Sequence, residues 1–325
     1  MKPRNWVYRA VLTTLVCGLL AGHVLAQSYP SRPVRIILGA GTGGNTDTVA
    51  REIASRLSTS LGQSVVVENR PGAAGNIAAD RVAKSSADGY TLLVPSSVIA
   101  ASPSLYSNLT FDPVKDFAPI SQLVSANFGI IVPANSPGNN LTEFVAYAKT
   151  KGSSLSYPSS GAGQAAHYGM EWLKSIAGFD AVHIPYNSQV QQITAVLSGT
   201  ADIAIVTLTG TVAQAQAGKL KIIATTGTRR SPLLPSVPTV MESGFRDYTL
   251  VTWVGLMAPA ATPREIVRKL NQETVKALKH PETIARFRAL DLDVVGSSPE
   301  QFAAYMKSEV KRIGELIKLS GAKAE

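Results

Sequence analysis

Residues Val34 to Leu61 constrain this chain more than any other stretch. Val34 to Leu38 is a short apolar run rich in β-branched residues, which predicts a buried strand. Beyond Asp47, the residues Val49, Ile53, Leu57 and Leu61 recur every fourth position, one face of an amphipathic helix. Between them Gly39, Gly41, Gly43 and Gly44 lack the Cβ atoms that would hold a ligand away from the backbone. Strand, glycine turn and helix N-terminus together form a set of N–H groups suited to negative charge.

The pattern continues and then restarts. Strands are expected at 64–68 and 90–94, with a small-residue helix to about Lys84 between them, as in a parallel sheet wound by crossover helices. Ser96 and Ser97 fall just past the end of the third strand, where open α/β sheets bind ligands. Two further apolar runs, 117–124 and 128–133, are read as separate strands. Asn140 caps a helix, with Glu143 three residues on. A strand at 155–157 then leads into Ser159-Ser160-Gly161-Ala162-Gly163-Gln164 and another helix, the opening arrangement over again. Strands at 182–186, 201–206 and 220–225 follow. The run 250–258 carries the chain back, Thr262-Pro263 caps the next helix with proline at its first position, and the last helix begins at Ser298-Pro299. The expected fold is two mixed α/β lobes joined by a two-strand hinge. Residues 27–126 plus 250–325 form one lobe and 127–249 are inserted as the other.

Lys2, Arg4 and Arg9 precede an apolar run from Ala10 to Ala21, and small residues precede a cut after Ala26, so residues 1–26 read as a cleavable secretory signal. The single cysteine, Cys17, lies within it and lacks the small residue that a lipid-anchor site needs before it. The mature chain therefore has no thiol for disulfides, catalysis or metals. Without the leader, 28 basic residues face 22 acidic ones. They are dispersed, with no aromatic interleaving, which argues against nucleic acid and for a mild field that draws in small anions.

Catalytic and cofactor signals are weak. Gly39-x-Gly41-x-x-Gly44 with Glu68 at a strand end satisfies a dinucleotide fingerprint. Asp47 would crowd a pyrophosphate, however, and Gly161-x-Gly163-x-x-Ala166 repeats the pattern, so no cofactor is expected. His167 and Glu171 fall at i and i+4 with no third metal ligand in view. No nucleophile elbow surrounds Ser159 or Ser160. Asp47 either supports the helix start or faces the cleft, and Tyr186 and Thr207 sit at strand ends as pocket walls.

Tyr29-Pro30-Ser31-Arg32-Pro33-Val34-Arg35, Gly43-Gly44-Asn45-Thr46-Asp47, Glu68-Asn69-Arg70-Pro71-Gly72-Ala73-Ala74-Gly75 and Asp88-Gly89-Tyr90-Thr91 stand in this order. Phe111-Asp112-Pro113, His183-Ile184-Pro185-Tyr186, Leu234-Pro235-Ser236-Val237-Pro238 and Gly255-Leu256-Met257-Ala258-Pro259 follow them. The set resembles the periplasmic substrate-binding proteins of tripartite tricarboxylate transporters, the Bug receptors. The resemblance implies a two-lobed receptor, not an enzyme, that hands a small carboxylate to membrane permease subunits, and a monomer is the default expectation. It places the ligand on Gly43, Gly44 and Asp47 of one lobe and on Ser160, Gly161, Gly163 and His167 of the other. Ala40, Thr42, Ser96 and Ser97, with Gln164, Tyr186 and Thr207, complete the expected site. The chain departs from the family pattern at Gly39-Ala40-Gly41, where a Pro-Phe start is usual, and at Val206, where an acid is usual. Both departures imply a wider, less acidic pocket for a bulky, even aromatic, carboxylate without an amine. An exported enzyme of small acids, built on Asp47 and His167, and a ligand sensor for a signalling partner are the competing readings.

Overall fold

The computed structural model describes residues 29–161, 163–186 and 188–321, so the signal segment and Cys17 lie outside the described residues. The first strand, β1 (Val34–Leu38), alternates as a doubly covered strand must. Val34, Ile36 and Leu38 feed one core, whereas Ile37 feeds the other. Helix α1 (Asn45–Leu61) follows, then β2 (Val65–Asn69), α2 (Asn76–Ala83) and β3 (Thr91–Val94). Both β2 and β3 pair with β1 in parallel, as the crossovers require.

After the single turn α3 (Ser102–Leu105), the two runs expected to be separate strands form one, β4 (Phe117–Pro133). Ser125, Ala126 and Asn127 pair with Trp253, Thr252 and Val251, which keeps the backbone extended despite two residues that favour turns. The chain next forms α4 (Leu141–Lys151), β5 (Ser156–Ser159), α5 (Ala165–Ala177), β6 (Val182–Pro185), α6 (Gln189–Leu197), β7 (Ala204–Thr207), α7 (Thr211–Gln216) and β8 (Leu220–Thr225). It ends with β9 (Val251–Pro259), α8 (Arg264–Leu278), α9 (Pro281–Ala289), β10 (Asp293–Val294) and α10 (Pro299–Ser320).

Strand β4 belongs to two sheets. Up to Asn127 it pairs antiparallel with β9, which continues to β3, β1 and β2. From Phe128 it pairs with β7 and β8, and β5 pairs in parallel with β6 beside them. The sheets are therefore mixed rather than purely parallel, and the fold is two-lobed. Thr226, fully buried, ties the crossings together: its Oγ1 accepts from the Phe128 amide (2.9 Å) and donates to the Leu250 carbonyl (2.5 Å). Helix α10 packs on β4 of the first sheet and also on α5 of the second, and Arg312 donates to the Thr249 carbonyl at 2.8 Å.

Two of the three helix caps expected from the sequence form. Asn140 Oδ1 accepts from the Glu143 amide at 2.9 Å, and Ser298 with Gln301 forms a full capping box. At α8, however, Pro263 is the residue before the helix, with ψ 136°, and the buried Thr262 hydroxyl has no partner among the described residues. Thr262 therefore caps nothing. Among the described residues no helix is long and apolar enough to cross a membrane.

The glycine that ends β1 serves the fold. A Cβ on Gly39 would lie 2.3 Å from Gly75 Cα, a clash of backbone with backbone that no rotamer relieves. Gly41 has nothing within 4 Å of such an atom. In urea unfolding, Gly39→Ala is expected to lose about 2 kcal/mol or more, whereas Gly41→Ala stays within about 0.5 kcal/mol of the parent.

Candidate functional site

The turn between β1 and α1 is held by a buried carboxylate. Asp47 is 4% exposed and accepts from the Gly43 amide (3.0 Å), from Arg51 Nε (3.0 and 3.1 Å) and from Asn69 Nδ2 (2.9 Å). Asn69 Nδ2 also donates to the Ala40 carbonyl at 3.0 Å, so one cluster fixes both arms of the turn. The Arg51 guanidinium above all, with the Gly43 and Asn69 donors, lowers the Asp47 pKa to about 2 against the opposing effect of burial. Both carboxylate oxygens are already engaged. Of the two roles open to Asp47, these bonds fill the structural one.

The second turn is held in the same manner with different groups. Ser159 Oγ accepts from the Gly161 amide (3.1 Å) and lies 2.6 Å from His183 Nε2. His167 Nδ1 accepts from the Gly163 amide at 3.1 Å, which leaves the ring's own proton on Nε2 in the neutral form. The two imidazoles stack 4.2 Å apart with Tyr157 against His183 at 5.0 Å. Glu171 does not pair with His167; it accepts from the Tyr157 hydroxyl and from Lys174 Nζ. Among the described residues no group of three potential ligands could hold a metal.

The amides of Gly43, Gly161 and Gly163, expected to face a ligand, are thus all bonded within the protein. A neighbouring set is left over. Asn45 and Thr46, in the first turn of α1, and Ala165 and Ala166, in the first turn of α5, have backbone N–H groups with no partner among the described residues. Neither helix has a side-chain cap. Spacing alone located the two turns but could not show which of their amides the fold consumes.

The remaining expected residues separate into two groups. Ala40 and Ser96 line a cavity of about 50 Å³ at the ends of β1 and β3. Thr46, Ala74, Gly75, Ala79, Leu93, Val94, Pro95 and Ile99, none of them expected, complete it. Thr42 and Gly44 are exposed beside it. Ser97 points away, its hydroxyl 3.0 Å from Thr252 Oγ1, so it is a link to β9 rather than a wall. In the second group Ser160 is exposed, Gln164 precedes α5, and Tyr186 donates its amide to the Ser159 carbonyl at 2.8 Å. Thr207 Oγ1 donates to Gln189 Oε1 at 2.9 Å. The groups approach at Gly163, where an added Cβ would lie 2.4 Å from Leu105 Cδ2, in the segment leaving β3.

The cavity at the first turn is small despite the missing side chains at Gly39-Ala40-Gly41. It has about a third of the roughly 150 Å³ that accommodates benzene in an engineered core. Gly39 is drawn against Gly75, and Ala74, Ala79 and Ile99 fill the space that the missing side chains would have opened.

Burial lowers the pKa of both imidazoles, that of His183 to about 4, with the His167 ring adding to the effect. An unfolded chain takes up those protons near an ordinary pKa of about 6.5, so it binds more protons than the native state between the two values. Stability therefore falls as pH drops from about 6.5 to about 4. The thermal midpoint is expected to decline across that window, and His183→Gln to flatten the decline.

Residues 49–322 match the family model described as tripartite tricarboxylate transporter family receptor. The chain is 32% identical to a UPF0065 protein of Bordetella pertussis, over 99% of each chain. The structure of the periplasmic binding protein BugD superposes with a TM-score of 0.75 at 34% identity, covering 91% of this chain and all of that one. Rpa4515 of R. palustris with adipate gives a TM-score of 0.78 at 30% identity, covering 91% and 100%. A family match over most of its length, full-length relatives and the shared two-lobed fold establish that this chain belongs to the tripartite tricarboxylate transporter receptor family, among the Bug-type periplasmic binding proteins.

Proposed function

We propose that the protein is an extracytoplasmic receptor that closes on a small carboxylate and delivers it to the permease subunits of a tripartite transporter. The observation that carries this reading is the pair of uncapped first turns, Asn45–Thr46 on one lobe and Ala165–Ala166 on the other. Each combines bare amides with the positive end of a helix dipole. The lobes are residues 27–126 with 250–325, and 127–249, turning about β4 and β9 as a monomer in the periplasm. Ala40, Thr42, Gly44, Ser96, Ser160, Gln164, Tyr186 and Thr207 wall the cleft. Gly43, Asp47, Gly161, Gly163 and His167 hold its two turns in shape.

The energetics suit a transport receptor. Hydrogen bonds to a charged group contribute about 1.5–3 kcal/mol each, and micromolar affinity needs about 8 kcal/mol. Four amides reach that value after ordering costs without a buried arginine. Because each lobe supplies only part of the set, a ligand favours the closed form by its differential contacts. The solved relative with adipate supports a carboxylate as the captured group.

Proline provides a clean test, since it deletes an amide while remaining compatible with the first helical position. The preceding residues are already extended, Gly44 at φ −80°, ψ 172° and Gln164 at φ −76°, ψ 159°. Asn45→Pro and Ala165→Pro are each expected to weaken carboxylate binding about 10- to 100-fold in titration calorimetry, with the thermal midpoint of the free protein unchanged. Parental affinity in both variants would refute the assignment.

A further inference from the structure

The cavity beside the α1 amides narrows the ligand class further, on the premise that the protein is a carboxylate receptor. Thr46 belongs to both features: its amide is one of the bare donors, and the residue lines the cavity. An anion on the α1 turn therefore has its substituent at the cavity mouth. The walls are Ala40, Ala74, Ala79, Leu93, Val94 and Ile99, with Thr46 and Ser96 as the polar side chains.

Among the described residues no charged side chain lines this space. The nearby ions are already committed. Arg51 is bonded to Asp47 and Asn69, Arg70 is paired with Glu68, and Asp47 has both oxygens filled. The lowered pKa values of His167 and His183 leave the opposite turn neutral at physiological pH. A second carboxylate, or an amine, entering the cavity would be a buried charge without a partner. A cavity of about 50 Å³ holds roughly four water-sized groups, given about 10–15 Å³ for each.

We infer that the ligand is a monocarboxylate with a short, uncharged aliphatic tail, its carboxylate on the α1 and α5 amides and its tail in the first-lobe cavity. Dicarboxylates are disfavoured by their second charge, aromatic acids by size and amino acids by the ammonium group.

Titration calorimetry with acetate, propionate, butyrate, hexanoate, benzoate, adipate and alanine tests this. Propionate or butyrate is expected to bind most tightly, with benzoate, adipate and alanine at least tenfold weaker. Ala40→Val, which narrows the mouth, is expected to lower the butyrate-to-acetate affinity ratio severalfold. Ile99→Ala, which deepens the cavity, is expected to move the optimum toward hexanoate. Adipate, benzoate or alanine binding as tightly as butyrate would overturn the tail assignment, as would a ratio that neither variant moves. Failure of all seven acids to bind would instead overturn the receptor reading on which it rests.

Discussion

At the end of β1 the chain has to turn sharply, pass close to a second loop and start a helix within nine residues. Asp47 makes that possible. Its carboxylate draws together the Gly43 amide, the Arg51 guanidinium and the Asn69 amide, and Asn69 in turn holds the Ala40 carbonyl. A buried carboxylate is tolerable only with this many donors, and supplying them uses up the glycine amide that might otherwise meet a ligand. The donors left over are those of the helix start. The second turn reaches the same outcome with neutral groups, Ser159 and the His167–His183 stack, which consume the amides of Gly161 and Gly163. In both lobes the loop is rigidified from inside, and the first helical turn keeps its unpaired amides.

Rigid turns matter because the lobes they belong to share a strand. β4 changes partners between Asn127 and Phe128, and Thr226 bonds both crossings at that point. In the proposed closure, a rotation of one sheet against the other is localised to a few residues, while the turns move as fixed bodies. Helix α10 complicates a simple hinge. It packs on β4 and on α5, and Arg312 reaches the Thr249 carbonyl, so any opening must also slide α5 along α10. The proposed closure then combines hinge and shear.

Much of this was legible in the residues. The β-branched apolar run of β1, the four-residue spacing of α1, and the caps at Asn140 and Ser298 are local signals, and each produced its element. The resemblance of ordered motifs to the family pointed to the two-lobed fold that the structure displays. What could not be read was non-local. Whether Gly39 is small for a ligand or for Gly75 depends on where the 72–75 turn lands. Whether the Gly163 amide is free depends on the rotamer of His167. The wall residues Ala79 and Ile99 look like ordinary core positions, and only the packing of α2 against β3 places them at a cavity. Thr226 carries no motif, and its role exists only because two distant strands cross there.

Anchoring and selection are consequently assigned to different kinds of atom. In the proposed complex the anion is met by main-chain amides whose positions are fixed by Asp47 on one side and by His167 and Ser159 on the other. The tail is met by side chains, chiefly small or branched apolar ones, that take no part in fixing those amides. A substitution at Ala40 or Ile99 changes the volume offered to the tail but leaves Asp47 and its donors in place. A substitution at Asp47 or Asn69 disorders the donors while leaving the cavity wall intact. Because an amide is a neutral dipole, opening the cleft exposes no bare cation to be resolvated, as a binding arginine would require. Grip on the anion is then moderate and readily reversed when the lobes part, the property a receptor needs if it is to surrender what it carries.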